Sequence, residues 1–152
     1  MKPGMILVLF ILLVVVTSIF RSSLNDRDLQ NDDLVTQGSI GFNVYNETSE
    51  YILRATKLEG SFEYPTPPLH AIYPNGYMHF EVETSFFSSR EATVSYSIFT
   101  NTRIEQNVGI IIIIMRTANY TPKTRISDFR VYSDEVSLDY ENGNTWVTVK
   151  ND

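Results

Sequence analysis

Apolar and polar residues alternate along much of the chain from residue 38 onward, and this period of two predicts β-strands. In the first such segment Ile40, Phe42 and Val44 alternate with small or polar neighbours, as a half-buried strand requires. The same period recurs in several later segments. Strands are predicted at 39–44, 51–58, 77–82, 93–99, 110–115, 129–132, 136–140 and 145–149.

Turn signals separate these segments. Asn75-Gly76 and Asn142-Gly143 accept the positive φ angles of tight turns, and the second pair joins two strands in the clearest hairpin of the chain. The proline-rich stretch 65–68 lacks backbone donors, so we expect it in a loop or along a sheet edge.

The run of five isoleucines at 110–114, followed by Met115, shows no alternation. A helix is possible by length, but β-branched residues favour strands. A second membrane span is excluded, because six apolar residues are far too few. We therefore expect a central strand that is covered on both faces.

About eight short antiparallel strands with regular turns and no helical period predict an all-β domain at 38–152. We expect a β-sandwich, with a small closed barrel as the alternative, preceded by an N-terminal hydrophobic helix.

The N-terminal segment is different in character. Residues 5–20 are almost wholly apolar, Lys2 precedes them and Arg21 follows, which is the order of an export signal. Residues 17–23, at the end of the apolar run, include bulky side chains where a signal peptidase prefers small ones. We interpret residues 1–24 as a signal anchor, with a cleaved signal peptide and a buried helix as the alternatives.

This interpretation predicts a single-pass protein of the cell membrane with its domain on the extracytoplasmic side, or a secreted protein if the leader is removed. Residues 5–20 would contact the membrane. The polar residues 25–37 have too little apolar content to pack, so they are predicted to form a linker.

Composition narrows the possible chemistry. The net charge of -6 argues against nucleic-acid binding, which needs a basic surface. The chain has no cysteine, and this excludes disulfides, cysteine–zinc sites and a cysteine nucleophile.

No catalytic arrangement stands out. The only histidines are His70 and His79, and neither belongs to a recognisable triad. Acidic residues cluster late in the chain without the spacing of a calcium loop, and we interpret them as a solvated face. These residues are Asp128, Asp134, Glu135, Asp139 and Glu141. We expect no enzymatic activity, no metal and no cofactor.

Two segments match the N-glycosylation pattern, Asn46-Glu47-Thr48 and Asn119-Tyr120-Thr121. Such matches matter only in a host that glycosylates exported proteins, and we interpret both as turn residues.

Aromatic residues in predicted loops are candidates for a binding surface that faces lipid or stacks on glycan, because such side chains suit boundaries between water and apolar matter. The alternative is ordinary core and edge packing. The candidates are Tyr64, Tyr73, Tyr77, Phe86, Phe87 and Tyr120.

The order of features in four segments resembles the aegerolysin-type (haemolysin-like) β-sandwich. These are the strand and turn at 44–48, Gly60-Ser61-Phe62, the residues Ile72-Tyr73-Pro74 and the tyrosine-containing strand 94–98. The resemblance implies a lipid-binding, pore-assisting module without enzymatic activity. The apolar leader, the isoleucine run and the lack of a tryptophan before Gly60 depart from that pattern.

The sequence therefore predicts an exported or membrane-anchored module that binds lipid, glycan or protein at the cell surface. A structural or assembly protein of the cell envelope is the alternative. An exported hydrolase with a pair of catalytic carboxylates is a third hypothesis.

Overall fold

The computed structural model describes residues 2–25 and 38–152, with side chains of the N-terminal helix described only as far as residue 15. The described residues form one α-helix, α1 (Pro3–Asn25), and nine β-strands. The strands are β1 (Ser39–Glu47), β2 (Tyr51–Gly60), β3 (Ala71–Ile72), β4 (Tyr77–Glu83), β5 (Arg90–Thr100), β6 (Asn107–Ala118), β7 (Thr121–Val131), β8 (Leu138–Asn142) and β9 (Trp146–Asn151).

The nine strands form two sheets, which confirms the predicted all-β, sandwich-like fold. The four-stranded sheet has the order β4-β1-β9-β8, and the five-stranded sheet has the order β3-β2-β5-β6-β7. The predicted hairpin is present: Asn142 ends β8, Gly143 begins the turn, and β9 pairs antiparallel with β8. Asn75 has a φ of 63°, as its turn sequence requires.

One strand pair differs from the antiparallel arrangement expected throughout. Strands β1 and β9 run parallel, with Val44 opposite Val147 and Asn46 opposite Val149. These strands lie far apart in sequence, so no tight turn dictates their relative direction. The pair forms the centre of the four-stranded sheet.

The core consists of the alternate side chains that point inward from both sheets. Phe42, Val44 and Val147 belong to the four-stranded sheet, while Ile98 and Ile111 belong to the five-stranded sheet, and all five are buried. Complete burial of such a side chain contributes about 1.5–3 kcal/mol. This apolar layer explains how the domain folds without disulfides.

The isoleucine run is a strand, as predicted, but the prediction that both of its faces are covered is wrong. Ile111 and Ile113 are buried in the core, whereas Ile110, Ile112 and Ile114 are only half-buried on the outer face. A strand must alternate whatever its composition, so identical side chains occupy two different environments.

Strand β7 is longer than the predicted segment 129–132. It begins at Thr121 and forms an edge of its sheet, beside β6. Its early residues include Pro122, Lys123 and Arg125, which suit an exposed edge but conceal the strand in a hydrophobicity pattern.

Helix α1 forms a unit separate from the β-domain. The large apolar side chains at 5–15 are between 47% and 63% exposed. Residues 1–24 are predicted from sequence to be a signal anchor or a cleaved signal peptide. Among the residues that the structure describes, no helix is long and apolar enough to span a membrane. Apart from Asn25, the predicted linker 25–37 lies outside the described residues.

Candidate functional site

All six aromatic residues predicted for a binding surface are exposed, but the structure brings only three of them together. Phe86 and Phe87 lie in the loop between β4 and β5, and Tyr120 lies in the turn between β6 and β7. The ring centroids of Phe86 and Tyr120 are 4.8 Å apart in an edge-on arrangement, and those of Phe86 and Phe87 are 6.5 Å apart. We call these three residues the aromatic tip.

The loop of the aromatic tip is fixed by hydroxyl groups at its base. Ser85 is buried, and its Oγ accepts hydrogen bonds from the Phe87 amide at 3.4 Å and the Ser88 hydroxyl at 3.1 Å. On the neighbouring turn, Asn119 and Tyr120 have φ angles of 47° and 59°, as a tight two-residue turn requires. The two phenylalanines are therefore presented by an ordered support.

The polypeptide enters the β-domain at the same end as the aromatic tip. The carbonyl oxygen of Gly38 accepts hydrogen bonds from the backbone amide of Thr84 at 2.8 Å and from its hydroxyl at 2.7 Å. Thr84 is buried and lies two residues before Phe86. The residue at which the chain enters the domain is therefore hydrogen-bonded to the base of the loop that carries Phe86.

The other three predicted aromatic residues lie elsewhere. Tyr73 precedes the turn between β3 and β4, at the opposite end of the strands. Tyr64 lines a small cleft of about 190 Å³ with Pro65 and Pro67. Tyr77 stands on the outer face of the four-stranded sheet, 5.8 Å from the ring of Tyr45.

A groove that the sequence did not predict lies among the residues that the structure describes. It lies on the outer face of the four-stranded sheet, has a volume of about 410 Å³ and combines aromatic, hydroxyl, amide and carboxylate groups. We call it the sheet groove. Its lining residues are Asn43, Tyr45, Glu47, Glu141, Thr145, Trp146 and Thr148.

Strand register arranges the sheet groove in rows. Asn43 of β1 pairs with Trp146 of β9 on one side and with His79 of β4 on the other. In the next row, Tyr45 pairs with Thr148 in the same way. Odd positions of β1 and even positions of β9 thus form one continuous polar and aromatic face. The alternation was visible in sequence, but the parallel pairing was not.

Two glycines leave space that neighbouring ring side chains occupy. A Cβ atom at Gly143 would overlap with three atoms of the Trp146 indole. A Cβ atom at Gly41 would come within 2.6 Å of Cε1 of His79. Each glycine provides the space that its aromatic neighbour occupies.

His79 is held in place by two polar partners. Its Nδ1 lies 2.9 Å from Oδ1 of Asn43, and its Nε2 lies 2.7 Å from Oε1 of Glu81. The hydrogen bond from His79 lowers the pKa of Glu81. Both ring nitrogens are engaged, so His79 serves to order the rim of the sheet groove.

Both ring nitrogens of His70 form hydrogen bonds with neighbouring groups of the fold. Its Nδ1 lies 2.9 Å from the carbonyl oxygen of Pro68, which can only accept, so Nδ1 donates. Its Nε2 then accepts from the hydroxyl of Tyr96 at 2.8 Å. Burial raises the pKa of Tyr96, which keeps this phenol a donor.

The late acidic residues do not converge on one point. Asp128 pairs with Arg130 at 2.6 Å, and Glu141 pairs with Lys150. The hydrogen bond to Glu141 raises the pKa of Lys150. Within the described ranges, no group of three or more histidine or acidic side chains is arranged to hold a metal.

The two glycosylation motifs differ in exposure. The Asn46 side chain is buried, and its Nδ2 donates to the carbonyl oxygens of Tyr51 and Ile72, both at 2.8 Å. Asn46 is therefore not a turn residue as interpreted from sequence: it lies in β1, one residue before the end of the strand, and its side chain binds backbone groups around the turn that follows. Asn119 is exposed.

Comparison of the sequence with protein-family models and with curated proteins finds no match in either. The resemblance to the aegerolysin-type β-sandwich therefore stays a prediction.

Proposed function

We propose that this protein is a non-enzymatic β-sandwich module that docks on a lipid surface through its aromatic tip. The observation that carries the proposal is the exposure of Phe87, at 96%, beside Phe86, at 57%, on an ordered loop. Adjacent exposed phenylalanines on a fixed support are typical of interaction surfaces. Tyr120, 41% exposed, adds a phenol suited to the boundary between water and lipid.

The aromatic tip is expected to bind weakly by itself. Complete burial of one phenylalanine contributes about 1.5–3 kcal/mol, and a lipid interface buries each ring only in part. Stable membrane association generally takes two signals. We propose that the apolar residues 5–20 supply the second, as an anchor within the bilayer.

Chain entry supports this combination. The chain that follows residues 5–20 reaches the β-domain at Gly38, whose carbonyl oxygen is hydrogen-bonded to Thr84 at the base of the loop that carries Phe86 and Phe87. We place the domain on the extracytoplasmic side of the membrane. Intact Met1 in a membrane fraction is the expected result; a mature chain that starts between residues 21 and 25 in the medium would contradict anchoring.

The net charge of -6 makes the proposed docking hydrophobic rather than electrostatic. We therefore expect no requirement for anionic lipid and little weakening by salt, because screening acts on charges rather than on buried apolar area.

The absence of cysteine permits a direct test in the full chain. Phe87→Cys places a single thiol at the aromatic tip. Ile104→Cys is the matched control, since Ile104 is apolar, 77% exposed and located in the β5–β6 loop at the opposite end. Each variant is labelled with an environment-sensitive dye and reconstituted into phosphatidylcholine vesicles, with and without phosphatidylserine.

We expect the dye at residue 87 to shift its emission to the blue and to be quenched by lipids that carry a nitroxide in the upper acyl chain. The dye at residue 104 should show neither effect. Equal behaviour of the two labels would overturn docking, even if the full chain remains with the vesicles through its N-terminal residues. A requirement for phosphatidylserine would overturn the hydrophobic mode.

A further inference from the structure

We propose that the sheet groove is a binding site for a neutral oligosaccharide. The site is on the outer face of the four-stranded sheet and does not include the aromatic tip, so it goes beyond the lipid-docking function. Its volume of about 410 Å³ lies within the range of about 300–1,000 Å³ that is usual for small-molecule sites.

The indole of Trp146 supplies the apolar part of the site. It is 37% exposed and lies so close to Gly143 that a Cβ atom there would come within 2.3 Å of the indole nitrogen. An indole fixed in this way needs little ordering on binding. The faces of sugar rings present C–H groups, which pack on the electron-rich face of an aromatic ring.

The polar groups around the indole match the hydroxyl groups of a sugar. Asn43 supplies an amide in the same row as Trp146, and Thr145 and Thr148 supply hydroxyls. Amides and hydroxyls both donate and accept, as sugar hydroxyls do. The two glutamates, Glu47 and Glu141, add strong acceptors for hydroxyl donors.

The charges in the sheet groove favour a neutral ligand over an anionic one. Glu47 and Glu141 line the groove, and the nearby Lys150 is engaged with Glu141. A carboxylate or sulfate group on the ligand would therefore face negative charge. A sulfated or acidic sugar is expected to bind more weakly than its neutral counterpart.

Trp146 is the only tryptophan in the chain, so its fluorescence reports on the sheet groove without a label. The full chain is kept in a zwitterionic detergent, since detergents with sugar head groups would compete for the site. The probes are maltotriose, cellotriose, triacetylchitotriose and mannotriose, with trigalacturonate as the acidic comparison. Binding is measured by fluorescence titration and by saturation-transfer NMR of the sugar.

We expect at least one neutral probe to change the fluorescence of Trp146 in a saturable way, with trigalacturonate at least several-fold weaker. Asn43→Ala and Trp146→Ala should each weaken binding about tenfold, as loss of a well-placed hydrogen bond or aromatic contact does. Tyr132→Ala is the control, because Tyr132 is an exposed aromatic residue just after β7 in the other sheet. The affinity of this variant for the sugar should be unchanged.

Trp146→Phe gives a second measurement that preserves an aromatic ring if the alanine variant does not fold. NMR should show weakened but detectable binding in this variant. Failure of all four neutral probes would overturn the proposal, as would affinity that Asn43→Ala and Trp146→Phe leave unchanged. Hydrolysis of a probe would overturn a binding-only role for the groove. Docking of the aromatic tip is measured separately at residue 87, so either result stands without the other.

Discussion

Substitution of Asn46 by alanine is expected to destabilise the β-domain strongly, although the change removes few atoms. The amide is buried where β1 turns into β2. Its Nδ2 donates to the carbonyl oxygens of Tyr51 and Ile72, both at 2.8 Å. Its Oδ1 accepts from the amide of Thr48 at 3.1 Å and from the Thr48 hydroxyl at 2.6 Å.

The magnitude follows from these four hydrogen bonds. Each contributes about 1 kcal/mol net, and a buried group left without a partner costs about 1–3 kcal/mol. The carbonyl of Tyr51 would keep one donor, because the Thr48 hydroxyl also approaches it at 3.1 Å. We therefore expect a loss of about 3 kcal/mol, which is a large part of a typical domain stability of about 5–15 kcal/mol.

Urea unfolding followed by Trp146 fluorescence measures this loss. With an m-value of about 1.5 kcal/mol/M, the midpoint should fall by about 2 M. Asn43→Ala is the matched control, since Asn43 lies on the same strand but is half-buried on the outer face. Water can replace its contact, so we expect less than about 1 kcal/mol. Equal midpoints for the two variants would refute the reasoning.

Three further substitutions test other parts of the structure. Ile111→Val should lower the free energy of unfolding in urea by about 1 kcal/mol and Ile112→Val by only a few tenths, because Ile111 is completely buried and Ile112 is half-buried. Equal losses would contradict the assigned alternation of the two side chains. The folded-state pKa of Glu81 is lowered, so its carboxylate stabilises the fold above the usual value of 4.5 and loses this effect as the pH falls through the folded pKa. The free energy of unfolding of Glu81→Gln, measured in urea, should therefore lie below that of the parent at neutral pH, by about 0.5 kcal/mol or less at this exposed site. The two values should become equal well below pH 4.5, and a deficit independent of pH would contradict this sign. Gly143→Ala should displace the indole of Trp146 and shift its emission to the red, at a cost of about 1–3 kcal/mol, and an unchanged spectrum would show that the ring does not lie against residue 143.

Local patterns predicted the fold class because most strands are amphipathic. The signals that were used depend only on residues close together in sequence. They are the alternation at 39–44 and 93–99 and the turn sequence Asn142-Gly143, and the strands and the hairpin that they predict are present in the structure. Prediction was weaker where the neighbours of a strand decide its environment. The outer face of the isoleucine strand and the length of β7 depend on which strands lie beside them.

In the candidate sites, too, features set by local sequence were predicted and features set by strand pairing were not. Phe86 and Phe87 were candidates because of their position in a predicted loop, with core packing as the alternative. The structure shows that both are exposed and adds the contact of Phe86 with Tyr120 across a second loop. The sheet groove was not predicted, because Asn43 and Trp146 are about 100 residues apart in sequence. Only the parallel register of β1 and β9 makes them neighbours.

The parallel pairing of β1 with β9 also has a consequence for synthesis of the chain. β9 is an interior strand of its sheet, yet it follows every other strand in sequence. At about 5–20 residues per second, a ribosome completes β9 roughly 5–20 s after β1. During that interval one edge of β1 has no native partner and is open to pairing with other chains. The nascent domain is therefore most vulnerable to aggregation just before β9 emerges, and the sheet groove forms only after this strand has been added.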